Sequence, residues 1–103
     1  MKRKERIVEV LKNKNFPDFD VESKELWLRA KIVMQFITLR EKSGLKQSDV
    51  AKRMNITRQM IAKFESMTNS PTITFLVKYA NALGTEVDVL VKGVGLVEII
   101  NAK

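Results

Sequence analysis

Within the nine residues Thr57 to Glu65, TRQMIAKFE, a guanidinium, an amide and an ammonium group lie close together. Wound as a helix, the stretch places Ile61 and Phe64 on one side and Arg58, Gln59, Ala62 and Lys63 on another. Two readings compete for that polar side. It either recognises a partner rich in acceptors and negative charge, or it is the solvated face of a small core helix. Acid–base and nucleophilic chemistry are poorly provided for elsewhere in the chain. It has no cysteine and no histidine. That removes disulfide scaffolds, thiolate nucleophiles, most zinc sites and imidazole proton transfer. No glycine-rich phosphate loop or serine triad pattern is present. We therefore expect no catalytic residues, no metal ligands, no cofactor and no enzymatic activity.

Charge gives the polar side a context. The formal net charge is +7, with 19 basic and 12 acidic residues. Residues 1–14 contribute +4, residues 15–26 contribute −3, residues 27–66 contribute +6, and residues 67–103 balance. The excess thus sits on the segment that contains TRQMIAKFE, as suits a polyanion such as nucleic acid; ordinary surface solubility is the plainer alternative.

The elements that must hold these residues follow from apolar spacing. The chain has 103 residues, 45% of them apolar, which fits one domain with a core of its own. No apolar run approaches the roughly 18 residues of a membrane span. The basic start MKRKER leads into a stretch too short and too charged for a signal-peptide core. The expectation is a soluble cytoplasmic protein without a membrane association. In IVEVLKNK, Ile7, Val10 and Leu11 suggest a short helix, with a strand as competitor; Pro17 then interrupts. Asp20 or Ser23 can cap a long helix running to about Lys42. That helix has two apolar stripes, one through Leu26, Ala30, Val33 and Ile37 and a second through Leu28, Ile32, Phe36 and Leu39. Two stripes predict burial on both sides, by the rest of the chain or by a partner.

Gly44 can end this helix in the left-handed region. A short helix KQSDVAKRM follows, then a tight NIT connection in which Asn55 tolerates left-handed geometry and Thr57 is a competent N-cap. The TRQMIAKFE helix runs to about Ser66. A loop leads to a further helix from Thr72 to Gly84, with a predicted core stripe of Ile73, Leu76, Val77, Ala80 and Leu83. Val87, Val89 and Val91 then alternate with Asp88, Leu90 and Lys92, which predicts a strand with a possible hairpin return through Gly93 and Gly95. We divide the chain into an N-terminal extension (1–20), a helix-turn-helix domain (21–84) and a C-terminal strand or hairpin (85–103).

Short helix, tight turn and second short helix form a shape of known use. A helix about 10–12 Å across fits the major groove of DNA, about 12 Å wide. The pieces LREKSGLKQSDVAKRM, ITRQMIAKFE and SPTITFLVKYANALG, together spanning residues 39–84, resemble the Cro/repressor-type (XRE-family) helix-turn-helix proteins. The resemblance implies a mainly α, compact four- to five-helix lambda-repressor-like domain. It also implies roles residue by residue. Gln47 meets a phosphate and sometimes a base, and Thr57 caps the recognition helix and can touch the backbone. Arg58, Gln59 and Lys63 take the base-facing positions, where Arg58 can pair with guanine, Gln59 with adenine, and Lys63 with a base or a phosphate. Ser66, Thr68 and Asn69 lie where the following loop approaches the DNA backbone. Arg40 and Glu65 match positions that pair as a structural ion pair, so they are assigned to the fold. Glycine is common in the family just after the recognition helix; this chain has SMTN there, and Asn69 is the candidate for the special geometry.

The flanks extend the resemblance. A basic start, an acidic FPDFDVESKEL, a long first helix and a strand after NALG are similar in arrangement to the antitoxins of host-inhibition-of-growth (HigA-type) modules. That implies a repressor of its own operon that also neutralises a small, basic ribonuclease toxin. The alternative is a phage- or host-type transcriptional regulator with no toxin. The expected partners are double-stranded operator DNA, palindromic by symmetry, and a second copy of the chain as a homodimer. Leu90, Leu96, Ile99 and Ile100 either cover the first helix or build that dimer.

Overall fold

The computed structural model of the protein describes residues 20–92. The regular structure of these described residues is four helices: α1 (Val21–Lys42), α2 (Gln47–Met54), α3 (Arg58–Glu65) and α4 (Ile73–Ala82). The expected helix in 1–14 and the hairpin return after Lys92 lie outside the described residues. The described part of the expected strand, Val87 to Val91, forms no ladder among these residues.

Each helix begins and ends for a local chemical reason. Asp20 caps α1, its carboxylate accepting from the Ser23 backbone N–H at 2.8 Å. That backbone bond, with the Ser23 side chain, holds the Asp20 carboxyl below the usual range. The C-terminal end of α1 closes through Gly44 at φ +72°, with the Leu45 N–H donating back to the Arg40 carbonyl at 3.1 Å. Lys46, whose ammonium has no acceptor, cannot cap α2; instead Asp49 reaches back and accepts from the Lys46 N–H at 2.7 Å. Asn55, at φ 57°, ends α2 and turns the chain. Thr57 caps α3 and Thr72 caps α4, their hydroxyls accepting from Met60 N–H (3.3 Å) and Phe75 N–H (3.0 Å).

The core is built on one flank of α1 and the inward faces of the three short helices. Ala30, Val33, Phe36 and Ile37 meet Val50 and Ala51 of α2, Ile61 and Phe64 of α3, and Leu76, Tyr79 and Ala80 of α4. The Phe64 ring is central, 5.6 Å from Phe36, 5.5 Å from Tyr79 and 5.1 Å from Phe75 between centroids. Small Ala51 is almost fully buried on the side of α2 that contributes to this core. Such tilted and edge-on ring contacts add to the burial of large apolar area.

Three local expectations need correction. In α4, Ile73 and Val77 are exposed (76% and 52%), whereas Tyr79 is fully buried. The core face is centred on Leu76, Tyr79 and Ala80, because the Tyr79 hydroxyl finds a buried acceptor that apolar spacing cannot reveal. On α1 the second stripe is only partly covered: Phe36 is buried, but Leu28 and Leu39 remain exposed at 52% and 37%. After α3, the left-handed residue is Met67 (φ 61°), not Asn69. The Met67 side chain is drawn into the core, and the backbone turns to allow it.

Candidate nucleic-acid interface

All four helices converge on one carboxylate. Glu65, the last residue of α3, is completely buried, and its two oxygens accept four hydrogen bonds. Arg40 of α1 forks onto it, Nε to Oε2 and Nη2 to Oε1, both at 2.8 Å. Gln47 of α2 donates Nε2 to Oε1 at 3.0 Å. Tyr79 of α4 donates its hydroxyl to Oε2 at 2.8 Å. Arg40 Nη1 also donates to the Leu45 carbonyl, at 2.9 Å. Burial pushes the Glu65 carboxyl up, but the bonds from Arg40, Gln47 and Tyr79, with the Arg40 charge, outweigh it and leave the group below the usual carboxylate range. The bond to Glu65 in turn raises Arg40 above the usual guanidinium range. Burial, then the Glu65 charge, drives the Tyr79 hydroxyl far above the normal phenol range, so it stays a donor.

This buried knot reaches the surface through Gln47. Its amide nitrogen faces Glu65 while its carbonyl oxygen accepts from Arg58 Nη1 at 3.1 Å. A short chain of hydrogen bonds thus runs from the core to the first residue of α3. Beyond Arg58, Gln59 and Lys63 are exposed, whereas Ile61, Phe64 and Glu65 anchor the opposite side of the same helix. The open face of α3 therefore carries two cations and an amide, Arg58 and Gln59 in its first turn and Lys63 in its last.

The loop after α3 adds a second polar group. Ser66 Oγ donates to the Lys63 carbonyl at 3.0 Å and lies 2.7 Å from Thr68 Oγ1. Thr68 and Asn69 are exposed. The loop is tied to α1 by residues that sequence reading did not single out. Arg29 donates Nη1 to the Met67 carbonyl at 3.0 Å, and Ser70 Oγ donates to Glu25 Oε2 at 2.9 Å. The spacing of Glu25 and Arg29, i and i+4, was a legible sign of a helical ion pair. Nothing in the sequence indicated that the pair would meet a loop some forty residues on. Met60, half exposed on α3 and facing the cleft toward Pro71 and Phe75, was also unassigned.

A short helix, a tight turn and a second helix with its polar N-terminal half uncovered define a helix-turn-helix module. A helix-turn-helix family model matches residues 37–90, just over half of the chain. The protein belongs to the helix-turn-helix family of Cro/XRE type, and is accordingly a DNA-binding transcription regulator. The family is generally non-enzymatic. No curated protein and no solved structure matches the chain. Among the described residues no cluster of acidic side chains could hold a metal ion, and no helix is long and apolar enough to cross a membrane.

Proposed function

We propose that the protein is a sequence-specific repressor that acts in the cytoplasm as a homodimer on a palindromic operator. Arg58 and Gln59 read base edges in the major groove, and Lys63 meets a base or a phosphate. Gln47, Thr57, Ser66, Thr68 and Asn69 contact the sugar–phosphate backbone, and Arg40 and Glu65 keep the module rigid. The observation that carries this reading is the open face of α3, with Arg58, Gln59 and Lys63 exposed along it and the opposite side of the helix locked by Ile61, Phe64 and Glu65. Bidentate Arg–guanine and Gln–adenine pairs supply specificity, and the surrounding contacts set register. A dimer places two such helices about one DNA turn apart, roughly 34–36 Å, as a palindrome requires.

Selection of binding sites from random-sequence duplexes, followed by titration, tests this. Arg58→Ala and Gln59→Ala are each expected to cost about 1–3 kcal/mol of operator affinity and to relax preference at the bases they face. Full affinity and preference in both variants would sink the assignment.

Within that reading, the protein serves as the antitoxin of a toxin–antitoxin module, repressing its own operon and neutralising a small basic ribonuclease. The acidic run of residues 15–26, net −3 beside a basic segment, is a complementary surface for such a partner. The test is the neighbouring reading frame, which should encode a basic protein that arrests growth alone and co-purifies with this chain. A harmless neighbour, or one that does not associate, leaves a plain transcriptional regulator.

A further inference from the structure

The loop between α3 and α4 poses a structural problem that α1 resolves. Residues 66–72 carry no helix, and Met67 takes a left-handed backbone conformation that residues other than glycine rarely adopt. Such a residue persists only when its surroundings over-determine it. Two restraints are visible. The Met67 side chain is 5% exposed, packed in the core, and its carbonyl accepts from Arg29 at 3.0 Å. Arg29 is itself fixed by a fork onto Glu25, at 2.9 and 2.7 Å, and the same Glu25 accepts from Ser70 at 2.9 Å. The two anchors, at positions 67 and 70, straddle Thr68 and Asn69. Between them the loop's polar side, with the Ser66 and Thr68 hydroxyls 2.7 Å apart, faces outward.

Taken as an isolated helical ion pair, Glu25 and Arg29 contribute little. Their additional bonds to Met67 and Ser70 give them a different use. We propose that Glu25 and Arg29 are positioning residues for DNA binding: a latch on α1, outside the segment matched by the family, that holds the 66–70 loop ready to receive phosphates. This rests on the reading that the loop meets the DNA backbone. Without the latch the loop must be ordered during binding, and that cost is subtracted from affinity. The latch touches no base, so it acts on affinity and leaves preference alone.

The test uses the full chain and an operator obtained by selection. Arg29→Ala is measured at a temperature where circular dichroism shows it fully folded. Operator affinity is expected to fall roughly tenfold, with unrelated duplex weakened by the same factor and preference unchanged. Amide exchange at Met67 to Ser70 in the DNA-free protein speeds up, a local change that uniform destabilisation does not produce. Arg29→Lys, which keeps a donor but not the fork, recovers part of the affinity. Ser70→Ala, an exposed change that leaves α1 and Met67 intact, gives a smaller loss in the same direction and serves if Arg29→Ala folds poorly. Unaltered affinity in folded Arg29→Ala overturns the proposal, as does a loss confined to the operator. Unchanged amide exchange refutes the latch whatever the DNA result. Failure of the wild type to bind any duplex overturns the DNA reading, and this role with it, even where exchange shows the loop to be held.

Discussion

Glu65 is the residue on which the domain's stability is most exposed to pH and mutation. Its carboxyl lies below the ordinary value of 4.5 in the folded protein. A depressed folded value means that the stabilisation is fully present above the unfolded value and is lost as pH falls through the folded one. Unfolding by urea, followed from neutral pH to about pH 3, should show wild-type stability falling in acid below about 4.5. Glu65→Gln is expected to be less stable at neutral pH and to lack most of that acid limb. Arg40→Ala leaves a wholly buried carboxylate without its cation, a change worth about 3–5 kcal/mol. Against a total of about 5–15 kcal/mol for a small domain, that is enough to unfold much of the population. Replacing both Arg40 and Glu65 by methionine should not be neutral here, since Gln47 and Tyr79 would lose their acceptor. Gln47 is the one member of the knot with a foot on the surface. Gln47→Ala is therefore expected to lower stability and DNA affinity together, whereas Tyr79→Phe lowers stability alone; parallel thermal melts and DNA titrations separate the two.

At the scale of elements, the module depends on how α2 hands the chain to α3. The turn holds three residues, with Asn55 left-handed and Thr57 capping. Thr57→Ala removes an acceptor from the first turn of α3 and is expected to cost about 1 kcal/mol by chemical denaturation. Asn55→Gly should be close to neutral, because glycine adopts the same geometry freely. Asn55→Ile should destabilise clearly, since a β-branched side chain resists it. Similar destabilisation by both substitutions would mean that the Asn55 side chain contributes something beyond its backbone tolerance. Helix α1 has a different character. Its inner flank closes the core, while Leu28 and Leu39 remain open and Glu25 and Arg29 hold the loop after α3. It is a scaffold for α3 and for the loop beside it.

For the whole molecule, electrostatics and symmetry set the observable behaviour. Nine basic against three acidic residues over positions 27–66 place the charge on the segment that carries α2 and α3. Operator affinity should fall steeply with salt, with a slope of about −0.9 per phosphate neutralised, and Lys63→Ala should reduce that slope by about one if Lys63 meets a phosphate. An unchanged slope, with altered base preference, would place Lys63 on a base instead. Sedimentation of the free protein and of its operator complex checks the symmetry: two chains per palindromic site are expected, and one chain per site would remove the homodimer.

Much of this was legible beforehand. The apolar spacing of Val50, Ala51, Ile61 and Phe64, the caps at Asp20, Thr57 and Thr72, the left-handed Asn55 and Gly44, and the helix stop at Gly84 are short-range signals, because each depends on residues within a turn or two. They determined helices, turns and the helix-turn-helix order. Apolar spacing finds Leu76, Ala80 and Leu83 but assigns Ile73 and Val77 to the core of α4 in place of Tyr79, whose hydroxyl bonds to a residue on another helix. The turn after α3 was placed at Asn69, where local propensity pointed, while burial of Met67 decided it. The contacts of Glu25 and Arg29 with Met67 and Ser70 had no local signature at all. Sequence alone determined which helices form among the described residues and which donors α3 offers. Tertiary structure decided which polar groups share Glu65, which loop α1 holds, and how far the open face extends, because buried hydrogen bonds are settled only when distant segments meet.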